Sequence, residues 1–160
     1  MDNTLIDNWN NAVSANDLVY VLGDISWYND EKTAEIFKQL NGEKILVKGN
    51  HDHFKGAVLN LFSECIDRTS VIDQGNYVVM DHFPCMFWDK QFYGSIHLYG
   101  HVHNSHQWNM TESWLAEARE LQALPMEAIN VGCMMPYMDY TPRTLEEIRA
   151  GYKEWLNGKI

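Results

Sequence analysis

The chain is short of positive charge. Its 160 residues hold 12 Lys and Arg against 22 Asp and Glu, a formal net charge of −10, which argues against a protein that grips nucleic acid through a broad cationic surface. Cysteine is scarce as well. Cys65, Cys85 and Cys133 are odd in number and widely spaced, so neither a disulfide framework nor a paired-cysteine zinc site is indicated, and a reducing cytoplasm is the expected setting. No stretch approaches the roughly 20 apolar residues of a membrane span, and the start has no basic segment followed by an apolar run. Internal repeats, low-complexity tracts and Pro/Gly/Ser-rich linkers are also lacking, so residues 1–160 are read as one domain, long enough to bury a core without staples.

What is present is an alternation of helical and strand patterns. Leu5, Ile6, Trp9 and Val13 form a helical stripe over residues 3–14. A short apolar run at 18–22 reads as a buried strand ending at Gly23-Asp24. Helical spacing returns over 30–40, with Ala34, Phe37 and Leu40 on one face and Asn41-Gly42 closing it. Strand patterns follow at 44–48, which runs into Gly49-Asn50-His51-Asp52, at 76–81 ahead of His82-Phe83-Pro84, and at 96–99 ahead of Gly100-His101-Val102-His103. A helical patch near 55–62, a helix from 111 to about 124, a strand at 128–131 and a final helix complete the series. The final helix opens with Thr144 and Glu147 at capping-box spacing and carries Leu145, Ile148, Tyr152 and Trp155 on one side. Strands alternating with helices predict an α/β fold.

The candidate ligands Asp24, Asn50, His82, His101 and His103 each fall just beyond the end of a predicted strand. In α/β sheets the loops at the carboxyl ends of strands gather along one edge, so these side chains can converge. A carboxylate, an amide oxygen and imidazoles suit a borderline divalent ion rather than calcium or a thiolate site. A carboxylate such as Asp24 can bridge two ions at about 3.5–4 Å, the separation used in two-metal hydrolysis, for which phosphate esters are the natural substrates. Gly-Asp and Gly-Asn are also common turn dipeptides, and His82 before Phe-Pro also fits a hydrogen-bonded core histidine. His53, His97 and His106 belong to no motif and are assigned to solvent or packing, and Cys85 to the core.

Gly23-Asp24, Gly49-Asn50-His51-Asp52, His82-Phe83-Pro84 and Gly100-His101-Val102-His103-Asn104 resemble, in order and rough spacing, successive motifs of the calcineurin-like metallophosphoesterases. Asn130-Val131-Gly132 and residues 140–148 resemble the end of the small bacterial and phage members. The resemblance implies a β-sandwich flanked by helices and hydrolysis of phosphomonoesters or phosphodiesters by metal-held hydroxide. It implies that Asp24 bridges two metals, with Asn50, His82 and His101 completing the second site and His103 belonging to the first. Manganese is the expected ion, with iron, zinc or nickel as alternatives. His51 would sit beside the substrate phosphate as general acid or charge stabiliser, with Asp52 holding its imidazole.

Family members begin with a strand ending in Asp-x-His, which this chain lacks: its first histidine is His51. The expectation is therefore a chain shortened at its start, one complete metal site and one half built, and an exposed sheet edge that invites pairing with a second copy. Two other functions stay open from the sequence. One is a catalytically weak metal-binding or protein-interaction domain of the same fold; the other is a nuclease, which the acidic balance disfavours.

Overall fold

The computed structural model, which describes residues 2–122 and 126–158, is a mixed α/β fold, as the sequence patterns predict. The first sheet is parallel and ordered β1 (Leu18–Val21), β2 (Glu43–Val47), β3 (Glu64–Ile66). Helix α1 (Asp2–Ala12) precedes it, and the crossovers carry α2 (Asp30–Phe37) and α3 (Gly56–Leu59). The Asn29 side chain caps α2 by accepting from the Lys32 N–H at 2.9 Å, a contact worth about 1 kcal/mol.

The second sheet runs β4 (Arg68–Asp73), β5 (Asn76–Asp81), β6 (Ile96–Tyr99), β7 (Glu127–Asn130). Its first pair is an antiparallel hairpin in which Asp73 faces Asn76. Gln74 and Gly75 fill the two-residue turn with φ of 46° and 82°, the left-handed pair that matches strand twist. The pairs β5–β6 and β6–β7 are parallel. Helix α4 (His106–Gln122) forms the crossover between β6 and β7, and α5 (Leu145–Leu156) ends the described chain. The capping box is present as expected: Glu147 accepts from the Thr144 N–H at 2.8 Å, and Thr144 Oγ1 accepts from the Glu147 N–H at 3.3 Å.

The core explains how the sheets sit together. In β2, Leu46 joins Ala34, Phe37, Val58 and Phe62 beneath α2 and α3, while Val47, pointing to the opposite face, joins the larger cluster built on β5, β6 and β7. Both residues are fully buried. Tyr20, Leu22 and Ile66 pack against that same larger cluster, so the two sheets share one apolar interior. Strand β1 pairs only with β2 among the described residues and is half-buried, whereas β2 is buried for four of its five residues.

Three differences from the sequence patterns have physical causes. Strand β3 has three residues, too few to establish a period. Strand β4 alternates exposed and half-buried positions and turns Ile72 to solvent, so its apolar content does not mark an inward face. Helix α4 begins at His106 rather than near 111, because its first turn holds Trp108 among polar residues; its expected end near 124 lies outside the described residues. Among the described residues no helix is long and apolar enough to cross a membrane.

Candidate metal centre

Four strands deliver the site. Asp24 follows β1, Asn50 follows β2, His82 follows β5 and His101 follows β6, and since β1 and β2 run parallel, as do β5 and β6, their carboxyl ends lie side by side.

His82 is the centre of the arrangement and is 1% exposed. Its Nδ1 lies 2.7 Å from the Leu22 carbonyl oxygen, which can only accept, so Nδ1 is assigned the hydrogen and Nε2 is left with a bare lone pair in the neutral ring. Around that Nε2 lie Asn50 Oδ1 at 3.1 Å, His101 Nδ1 at 3.2 Å and Asp24 Oδ2 at 3.4 Å. The ligand atoms of Asp24, His82 and His101 all fall within 4.8 Å of one another. Lone pairs directed at one another repel unless a cation or a proton lies between them. Ligands about 2.1 Å from a common ion stand roughly 3.0–3.4 Å apart in octahedral or tetrahedral geometry, which brackets the observed spacing. The donor set therefore fits one divalent ion held by Asp24, Asn50, His82 and His101. Burial, then the neighbouring His82, His103 and His51, hold the His101 pKa below the ordinary imidazole value against the opposing pull of Asp24, and this keeps its lone pair available.

The backbone is strained where these side chains leave it. Asp24, His101 and His103 adopt φ of 53°, 58° and 51°, left-handed values that non-glycine residues seldom take without a compensating role. The neighbouring glycines answer to different needs. Gly23 itself has φ of 80°. Gly49 is there for closeness: a Cβ on it would lie 2.6 Å from Asp24 N and 2.8 Å from His82 Cε1. At Gly100 the turn falls one residue later, on His101.

His103 stands exposed, outside the four-donor cluster, close enough to affect His101 electrostatically. Its carbonyl accepts from the Asn130 Nδ2–H at 2.7 Å, and Asn130, fully buried, also accepts the Gly132 N–H. Asn130 thus fixes the loop after β6 from the end of β7, a role visible only once the strands are paired.

The resemblance gives Asp52 the task of holding the His51 imidazole. In the structure its carboxylate instead accepts the backbone N–H groups of Asp24 at 2.9 Å, Ile25 at 3.0 Å and Gly49 at 2.8 Å. It locks the β1 loop to the β2 loop. Asp24 Oδ1 accepts the His51 N–H at 2.9 Å, while the exposed His51 ring lies against Trp27 with centroids 4.5 Å apart. On the other flank Phe83 packs on His101 at 4.4 Å.

No family model matches the chain. It is 37% identical over 109 residues to the uncharacterized protein MJ1445 of Methanocaldococcus jannaschii, a match that takes in 66% of this chain and 55% of that protein, so the chain spans about half the length of this relative. The fold is similar to the crystal structure of AQ665 from Aquifex aeolicus, a protein of unknown function, with a TM-score of 0.69 and 24% identity over 93% of this chain and 83% of that one. That likeness establishes a shared architecture. Neither relative carries an activity that could be transferred.

Proposed function

We propose that this chain is a metal-dependent phosphoesterase of the calcineurin-like type, acting on phosphomonoesters or phosphodiesters. The observation that carries the reading is the bare Nε2 of His82 facing Asp24, Asn50 and His101 at ligand spacing. The sandwich reading of the fold draws support from two sheets that share a core and present four strand ends to this centre.

A bound divalent ion, manganese first and iron, zinc or nickel as alternatives, supplies Lewis-acid polarisation of a phosphoryl oxygen and offsets the charge of an anionic substrate. The protein groups do the rest. His82 and His101 hold their rings in fixed orientation, the first through Leu22 and the second through its turn and the Phe83 ring. His51, tethered through its backbone to Asp24 and exposed beside the centre, is assigned the proton given to the leaving oxygen. Asp52 acts as a positioning residue by setting the distance between the Asp24 and Asn50 loops.

The test is hydrolysis of bis(4-nitrophenyl) phosphate with added Mn²⁺ and with Fe²⁺, Zn²⁺ and Ni²⁺. Turnover that falls on the order of 100-fold in His51→Ala is expected; no turnover with any of these ions removes the enzyme reading. A metal-binding domain with little turnover is the second reading. It is favoured by His103 standing outside the cluster, so that the described residues gather donors around a single ion.

A further inference from the structure

We propose that the phosphate ester bound at this centre carries a flat aromatic group, received by the groove that runs from His101 between Phe83 and helix α4. The inference rests on the phosphoesterase reading and deepens it. The groove, about 290 Å³, is lined by Phe83, Pro84, His101, Val102, Gln107, Met110 and Thr111.

Its position ties it to the chemistry. His101 belongs both to the groove wall and to the ligand cluster, so a group lying in the groove shares the His101 ring with a phosphate held at the centre. Its size, just under the roughly 300 Å³ at which pockets for drug-sized molecules begin, suits one small ring system. Its charge excludes a polyanion. Among the described residues no Lys or Arg lines it, so a second phosphate or a nucleic-acid backbone would find no Lys or Arg counter-charge from them.

Its surfaces are those of a stacking site. Phe83 is held from behind, its ring 4.4 Å from His101 and 4.9 Å edge-on from His82, yet it remains 44% exposed. A braced, exposed ring offers an aromatic partner a face with little entropy to lose. Across the groove Met110 is 62% exposed, and its polarizable thioether pairs well with aromatic edges. Gln107 and Thr111 sit one turn apart on α4, where the Gln107 amide can donate to and accept from ring heteroatoms. The ligand class is therefore an aryl or heteroaryl phosphate ester.

Two arms test this on the Mn²⁺-loaded chain. Calorimetric titration compares phenylphosphonate with methylphosphonate, and hydrolysis of phenyl 4-nitrophenyl phosphate and of methyl 4-nitrophenyl phosphate reports whether the centre turns over a diester at all. Preference for phenylphosphonate over methylphosphonate of about tenfold is expected, with the ratio falling towards one in Met110→Ser and in Thr111→Phe, which fills the groove. Equal binding of the two phosphonates, or no binding of either, overturns the proposal. If both phosphonates bind with the expected ratio but neither diester is hydrolysed, the aromatic subsite stands and the phosphoesterase reading falls.

Discussion

The Asp52 carboxylate accepts the backbone N–H of Asp24 at 2.9 Å, so one acid holds the loop that aims the other. With Ile25 and Gly49 donating to the same group, three N–H groups from two loops depend on a single side chain. Asp52→Ala leaves them without their acceptor. Each unsatisfied donor costs about 1–3 kcal/mol when buried, and these are part-buried, so a loss of about 3 kcal/mol in urea unfolding is expected together with weaker Mn²⁺ binding. His51→Ala, at an exposed ring, should change stability by no more than about 0.5 kcal/mol. An Asp52→Ala chain as stable as the parent would show that the clamp is dispensable.

Metal binding can be read without any substrate. An ion that binds only the folded chain stabilises it by about 2.7 kcal/mol when present at a hundred times its Kd, so Mn²⁺ should raise the melting temperature of the native chain by several degrees. In His82→Ala, which removes the Nε2 around which the other donors lie, that rise should vanish. In His103→Ala, which lies outside the cluster, it should persist. Equal rises in all three chains would mean that the ion binds elsewhere.

Close approach at Gly49 makes a sharper geometric test. A methyl group there meets Asp24 N at 2.6 Å and His82 Cε1 at 2.8 Å, and a backbone atom in a clamped loop cannot rotate away. Gly49→Ala should cost about 1–3 kcal/mol through overpacking and abolish the Mn²⁺-dependent rise in melting temperature. Gly56→Ala is the control: nothing lies within 4 Å of its added Cβ and it opens helix α3, so stability should hold or gain about 0.4–1 kcal/mol. If both substitutions behave alike, the crowding at Gly49 has no consequence.

Much of the architecture is legible before any coordinates, because the apolar runs of β1, β2, β5 and β6 are each followed directly by polar ligand types, and parallel strands bring such ends together. The roles of Asp52 and Asn130 are not legible in the same way. Asp52 reaches the Asp24 and Ile25 N–H groups and Asn130 reaches the His103 carbonyl, backbone groups in loops distant in sequence, and a backbone group leaves no mark in the residue it belongs to. The same holds for Gly49, whose need is proximity to Asp24, so that Gly-Asn alone reads as an ordinary turn. Strand β4 escapes detection because Arg68, Ser70 and Ile72 face solvent, and an exposed Ile breaks the link between hydrophobicity and the inward face.

His97, outside the ligand cluster, supplies a pH dependence of its own. It is fully buried beside Trp88 and Tyr99, with ring centroids at 5.4 and 5.5 Å. Its Nδ1 lies 3.2 Å from the Val79 carbonyl, and its Nε2 accepts the Cys85 N–H at 3.0 Å. Burial pushes its pKa below the ordinary 6.5, against the pull of the Val79 carbonyl and Asp81. A base whose folded pKa is lowered binds fewer protons folded than unfolded between the two values, so its contribution is complete above pH 6.5 and declines as the pH falls from there to the folded pKa. The decline is at most about 1.4 kcal/mol per pH unit. Protonation would also fill the lone pair that holds Cys85, three residues after His82, and so loosen the loop carrying that side chain. Urea midpoints across about pH 5 to 8 should therefore fall on the acid side in the native chain, and the part of that fall due to His97 should be missing from His97→Gln. An identical acid slope in both chains would assign the fall to other groups, His101 among them.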